Sequence, residues 1–434
     1  MPAPAMRTPA GPRRCSSWLV VGRSILAGLA LCSGDPSNAE DWPQWRGPRG
    51  DSSWRVASLP DRGPAEGDLV PVWRADLGPG YSGIAVVGNH VYTQDRPATP
   101  TDHERVVCFD ATSGQLLWQH LYPAVYGKLD YPKGPRATPT VHDGRVYTMG
   151  AVGHVHCLDA QTGQVVWKLD LVRDHGATLA TWGYSGSPLL DGEHVIIHAG
   201  LPQGGCYVAY DRRTGQERWR GGDDPLGYGT PILIEHAGQR QLIGWTPEHI
   251  ISLSPTNGRE NWRIPYKVTY GVSIATPLFR EGLVLVCGYW EGSKAIRLGN
   301  QPTEATLAWE ENRYLRGLMS PPLYRDRHVY LLDKHHGLVC FELASGKVLW
   351  NDSNRLTPRD RNPHASLVWI DGSDRILALN ASGELVQARL TPAGYEELGR
   401  ARLVGETWAH PAFAGDSCYA RDDQQLVRVR LAGR

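Results

Sequence analysis

Two histidine pairs and two acidic loops are the first places where this sequence has residues suited to chemistry. His154 and His156 alternate within an apolar stretch, so both imidazoles fall on one face of a strand, while His335 and His336 are adjacent near a turn. Zinc needs a third and fourth ligand, and no clustered motif supplies them, so both pairs read as histidines at the surface or between packed repeats. Gly221-Gly222-Asp223-Asp224 and Asp371-Gly372-Ser373-Asp374 carry oxygen ligands but lack the spacing of a calcium loop. They read as turns, and no metal ligand is assigned. Asp110, Asp159 and Asp211 have the look of catalytic carboxylates. Each, however, opens the same nine-residue phrase, DATSGQLLW, DAQTGQVVW and DRRTGQERW, and that repetition ties them to a turn. The sequence contains no Gly-rich phosphate loop, G-x-S-x-G or H-E-x-x-H, and no catalytic residue is assigned. C-x-x-C is also absent, which excludes thioredoxin-like and haem-attachment readings.

The phrase that absorbs the aspartates is the element that positions everything else. SPTNGRENW and ELASGKVLW keep its spacing, QPTEATLAW and LTPAGYEEL keep it loosely, and Trp73 in LVPVWRADL has the tryptophan without the turn. From Trp73 through Trp118, Trp167, Trp219, Trp262 and Trp309 to Trp350 the intervals are 45, 49, 52, 43, 47 and 41 residues. A largely apolar strand precedes each phrase (VVCF, VHCL, YVAY, IISL, LVCF), and the glycine at its fifth position suits the positive-φ residue of a three-residue hairpin. Two further strands lie upstream in eight lead-in segments such as ATPTVHDGRVY and SPPLYRDRHVY. One period therefore holds four strands in a meander, the dimension of a propeller blade.

The terminal unit, Pro411 to Leu431, has three strands, and the stretch Val70 to Asp76 around Trp73 supplies the fourth, leaving no open edge. The expected fold is all-β: an eight-bladed propeller of four-stranded antiparallel blades, its last blade closed by the N-terminal strand. The seven repeat tryptophans are expected to dock blades, since a large ring on an outer strand spans the gap to the next sheet.

Composition limits the partners. The chain has 434 residues, with Lys+Arg and Asp+Glu both 45, so no electrostatic attraction to nucleic acid is built in. Residues 1–39 read as a signal peptide: Arg7, Arg13 and Arg14 precede the apolar run Ser24 to Cys32 and the small-residue site Ser37-Asn38-Ala39. That implies Sec-type export to the periplasm or beyond, no transmembrane helix in the mature chain, and two alternatives: a twin-arginine signal at Arg13-Arg14 or lipid anchoring at Cys32. Residues 40–68 form an extension rich in Trp, Pro and Gly, a tail packed on the propeller or a partner-binding peptide, and 69–434 is the propeller. The six later cysteines, among them Cys108, Cys157 and Cys340 at equivalent repeat positions, are expected as buried thiols.

The D-x-x-T-G-x-x-x-W hairpin, with its x-P-x-x-x-x-G-x-V-Y lead-in, resembles the repeat of pyrroloquinoline-quinone (PQQ) alcohol dehydrogenases. The lipoprotein subunit of the bacterial outer-membrane assembly machine shares that repeat. Asp41 to Pro48 (DWPQWRGP), Gly134 to Thr140 and Trp182 to Pro188 resemble more closely the exported PQQ-binding-like propeller proteins. The resemblance covers about residues 41 to 430 and implies that the tryptophans dock blades and hold no quinone. The dehydrogenases carry a vicinal disulfide over the cofactor and Glu, Asn and Asp ligands for calcium. This chain has no adjacent cysteines and little length for inserted loops.

Loops leading into innermost strands shape a propeller's channel mouth. Here they carry Tyr81, Arg136, Trp182, Tyr184, Tyr228, Tyr270, Arg316, His364, Trp408 and His410, expected to ring the opening or to pack the funnel. The sequence thus reads as a non-catalytic binding scaffold of the cell envelope with protein partners and no assigned cofactor. Two alternatives stand beside it: a PQQ- and calcium-dependent alcohol dehydrogenase, and a module holding a carbohydrate or small anion at the mouth.

Overall fold

The repeated aspartates organise turns. Asp110 accepts the N–H groups of Thr112 and Ser113 at 3.0 and 2.7 Å, and Asp159 and Asp211 hold the matching pairs in their own phrases. The Ser113 N–H bond is the main influence holding the Asp110 carboxyl below the usual carboxylate range. Each turn joins the third and fourth strands of a sheet, and a register shift just after it gives the outer strand its bulge.

The computed structural model describes residues 40–432; the leader assigned to 1–39 lies outside them. Eight antiparallel sheets follow in chain order. The first comprises Ala85–Val87, His90–Asp95, His103–Asp110 and Leu116–Pro123, and the next six occupy 140–170, 189–221, 232–265, 278–311, 323–351 and 365–402. In the eighth, strands Ala412–Ala414, Ser417–Arg421 and Gln425–Arg430 are completed by Pro71–Asp76, antiparallel to the last, with Ala75 opposite Leu426. The first strands of blades 8 and 1, of blades 1 and 2 and of blades 6 and 7 touch, and the ring is an eight-bladed propeller with first strands inside. Buried Arg421 reinforces the closure by donating 2.6 Å bonds to the carbonyls of Gly78 and Gln94, across from blade 8 to blade 1. Among the described residues no helix is long and apolar enough to cross a membrane.

The tryptophans dock each blade on the next by one recurring contact. The indole N–H donates to the carbonyl after the next blade's turn-opening residue: Trp73 to Ala111, Trp118 to Ala160, Trp167 to Arg212, Trp219 to Pro255, Trp309 to Leu343 and Trp350 to Thr391, all at 2.9 to 3.0 Å. Five of these rings also lie flat on the turn glycine. A Cβ on Gly114, Gly163, Gly215, Gly258 or Gly346 would stand 2.4 to 3.0 Å from ring carbons, so glycine is required there for close approach as well as for its positive φ. Trp262 departs from the series. The next turn has Ala305 where the others have glycine, and the Trp262 N–H bonds instead to Gln241 Oε1 in its own blade at 3.2 Å. All six cysteines of the described residues are buried free thiols.

The extension is threaded into the channel. Asp41 takes the Gly88 N–H at the far turn of blade 1's inner strand, and Trp42 and Val86 exchange backbone bonds of 2.8 Å. Pro43 accepts from Val141 in blade 2, and Trp45 reaches Thr276, two residues ahead of blade 5's inner strand, at 2.9 Å. Ser53–Trp54 then runs parallel to Ala365–Ile370, giving blade 7 a fifth strand. Trp42 and Trp54 pack on Phe413 of blade 8 at 5.8 and 5.3 Å. This strap closes the channel from the end opposite the lead-in loops. Further on, Gly63 donates to Leu398, so the extension also covers the edge of blade 7, where leucine replaces the docking tryptophan.

Candidate functional site

With one end closed, the channel becomes a blind cavity of about 260 Å³, lined by residues from the loops leading into all eight blades. Trp45 and the imidazoles of His364 and His410 form its floor. The Trp45 ring lies 4.2 Å from that of His410, which lies 5.6 Å from that of His364. Burial lowers the His364 pKa to about 4 and puts that of His410 well below the ordinary range, so the floor is polar and uncharged at neutral pH. His364 stands between the hydroxyls of Ser320 and Ser366, whereas the buried Nε2 of His410 has no protein partner.

Aromatic rings make the walls. Trp182 meets Tyr228 at 63°, Trp290 meets Tyr289 at 89° and Tyr270 at 69°, and Tyr81 lies against Trp408 at 5.7 Å. Two arginines supply the charge. Arg136 is fixed by the carbonyls of Gly134, Asp130 and Tyr131 at 2.7 to 2.9 Å, with its guanidinium 5.7 Å from the Tyr81 ring. Burial lowers its pKa from the ordinary value, though a guanidinium stays charged at neutral pH. Arg361 is exposed at the rim, on a loop tied down by Tyr289, whose hydroxyl donates to the Arg361 carbonyl. Neither arginine forms an ion pair among the described residues, and no aspartate or glutamate lines the cavity.

Of the ten residues expected at the mouth, Tyr81, Arg136, Trp182, Tyr228, Tyr270, His364, Trp408 and His410 line this one cavity. Tyr184 does not. Gly183 reverses the chain at φ 67°, turning Trp182 toward the cavity and sending Tyr184 between blades 2 and 3, where its hydroxyl donates to Ala199 at 2.8 Å. Arg316 is also elsewhere, its Nε bonded back to the Asn312 carbonyl at 2.6 Å. Sequence reasoning missed Trp45, Tyr131, Tyr289, Trp290, Arg361 and Asn362. Trp45 lay in a segment whose path the sequence left open, and Tyr289 and Trp290 sit in a turn between strands of blade 5.

The other chemical candidates have structural duties. His154 and His156 pack with His120 and Tyr122 between blades 1 and 2, and His336 bonds Asp333 at 2.7 Å. In the acidic loops, Asp224 holds Thr246 and His249, Asp223 pairs with Arg263, Asp371 with Arg55 and Asp374 with Arg389. Calcium requires several hard oxygen ligands, and a lining without a carboxylate does not provide them. The residues present do not fit PQQ with calcium.

Comparison with known proteins places these features in context. Residues 102–352 match the family described as outer membrane protein assembly factor BamB. A quinohemoprotein alcohol dehydrogenase ADH-IIG of Pseudomonas putida is 27% identical over 222 residues, covering 47% of this chain and 28% of that protein. The outer membrane protein assembly factor BamB of Yersinia pestis is 35% identical over 72 residues, 16% of this chain and 18% of that protein. The matched stretches thus span less than a third of either relative. Among solved structures, BamB from Moraxella catarrhalis superposes with a TM-score of 0.58 at 17% identity, over 84% of this chain and 99% of that one. The Pseudomonas putida ADHIIG structure does so with 0.63 at 14%, over 92% and 81%. At these identities the likeness is one of fold.

Proposed function

The chain belongs to the family described as outer membrane protein assembly factor BamB, and we propose that it is a non-catalytic binding propeller of the cell envelope that receives its ligand or partner at the lead-in face. The observation that carries this reading is the cavity itself. Loops from every blade converge on aromatic walls, two arginines without acidic partners and a neutral floor, with no carboxylate in the lining. Such a surface offers stacking and hydrogen bonding, the ingredients of recognition. An alcohol dehydrogenation needs a base of suitable pKa at the reacting hydroxyl. The floor histidines are polar, but burial has made them weak bases.

The competing reading, oxidation with PQQ and calcium, is separable from this one. Purified protein incubated with PQQ and calcium is expected to emerge from gel filtration without quinone absorbance and to show no dye-linked alcohol oxidation. Retained quinone together with turnover would overturn the proposal. A photo-crosslinker at Tyr270, 75% exposed at the mouth, is expected to trap a reproducible partner in intact envelopes. The same probe at Leu307, on the outer strand of blade 5, is expected to trap none.

A further inference from the structure

We propose that the cavity binds an acidic sugar, a pyranose ring bearing a carboxylate or sulfate; this rests on the binding reading above and narrows it to one ligand class. Two observations point there. First, most of the aromatic wall consists of rings set at steep angles to one another, 63° for Trp182 and Tyr228 and 69° for Tyr270 and Trp290, while Tyr81 and Trp408 lie at 29° against each other. A pyranose offers apolar C–H faces to such isolated platforms and hydroxyls around its edge, whereas a flat polycyclic ligand needs a parallel pair. Second, the charge has one sign. Arg136 is held by backbone carbonyls alone and Arg361 has no acidic side-chain partner, while the acids around them are engaged, buried Glu104 with Tyr122, Tyr126 and the Ala151 N–H, Asp423 with Lys133, and Asp360 with the Arg361 backbone N–H. The Arg361 guanidinium, with no side-chain hydrogen bond of its own, can meet a planar carboxylate or a sulfate by paired hydrogen bonds, while Arg136, whose Nη2 hydrogens are taken by the Asp130 and Tyr131 carbonyls, adds positive charge to the wall. The volume, about 260 Å³, lies just below the roughly 300–1,000 Å³ of small-ligand pockets, suited to the end of a glycan rather than a folded domain.

The test is calorimetric titration of the purified protein with trigalacturonate, a sulfated galactobiose and neutral galactobiose. One or both acidic sugars are expected to bind at least about tenfold more tightly than the neutral one, and the stronger of the two identifies the anion. Arg361→Ala, at an exposed rim position, is expected to weaken acidic binding about tenfold and leave the melting temperature unchanged; Trp182→Ala weakens all sugars. Equal affinity for neutral and acidic sugars, no binding to any of the three, or binding indifferent to both substitutions would overturn the assignment. Quinone retention with alcohol turnover, by contrast, would remove the underlying binding reading.

Discussion

The indole nitrogen of Trp73 lies 2.9 Å from the carbonyl oxygen of Ala111, and its ring covers Gly114 in the same turn. The tryptophan belongs to the strand that completes blade 8 and the glycine to blade 1, so the ring closes by the contact that joins its ordinary neighbours. The glycine is therefore as much a part of the joint as the indole. Gly215→Ala would place a methyl 2.8 Å from the Trp167 ring at φ 72° and is expected to cost about 2–4 kcal/mol in urea unfolding. Gly394→Ala, in the blade 7 turn with nothing within 4 Å, is expected to change stability by about 0.5 kcal/mol or less. Equal costs at both sites would refute the joint.

The hydrogen bond of the joint can be separated from its packing by comparing two tryptophans. Trp219→Phe leaves the Pro255 carbonyl without its 2.9 Å donor, whereas Trp262→Phe leaves Gln241 Oε1 still bonded to the Ser252 hydroxyl at 2.7 Å. The first change is expected to be the more costly by about 1 kcal/mol in denaturant titrations. A reversed order would show that the N–H matters less than the ring.

Removing the floor has a local signature. Trp45→Ala loses the bond to Thr276 and the contact with His410, and joins the main cavity to the small void beside Trp42 and Arg46. The expected cost is about 1–3 kcal/mol, below the range for a fully buried aromatic because Trp45 is only partly buried. Faster hydrogen exchange should be confined to the strap and the inner strands of blades 5 and 8. Exchange rising uniformly around the ring would mean the strap is part of the global fold.

Acid is expected to destabilise the protein through its buried histidines. His364 titrates near 4 in the folded state because burial disfavours its charged form, against about 6.5 in an unfolded chain. Its contribution is fully present above 6.5 and falls as pH drops from there toward 4, because the unfolded state takes up the proton first. The slope is about 1.4 kcal/mol per pH unit for each such group. His410 and His198 shift the same way from the same cause. Urea midpoints measured between pH 7 and 4 should fall less steeply for His364→Gln, and an unchanged slope would refute the assignment.

The blade count and the closure were legible because both rest on residues at fixed spacing, above all Trp73 standing without a turn of its own. Even the irregular joint left a mark, since QPTEATLAW lacks the glycine on which Trp262 would have rested. The mouth was legible by position but not by direction. Trp182 and Tyr184 are two residues apart and would share a face of an extended strand, yet Gly183 at φ 67° sends them to opposite sides. The path of the extension was illegible for a different reason. Its bonds reach Val86, Thr276 and Trp369, on blades far apart in sequence, and no local pattern encodes such distant partners.

The pairing of Pro71–Asp76 with Gln425–Arg430 also sets a timetable. The earlier strand waits about 350 residues for its mate, with Val70 and Val72 still largely uncovered when it finds it. Loop-closure entropy rises only slowly over such a span, but contacts this remote are late to form. Apart from the Ser53–Trp54 strand added to blade 7, the strands of the other seven sheets have their partners close by in sequence, so assembly is expected to stall with a nearly finished ring and an unfastened clasp. A chain released before Arg421 would keep most of its hairpins and lose both the clasp and the Arg421 bonds that guard it.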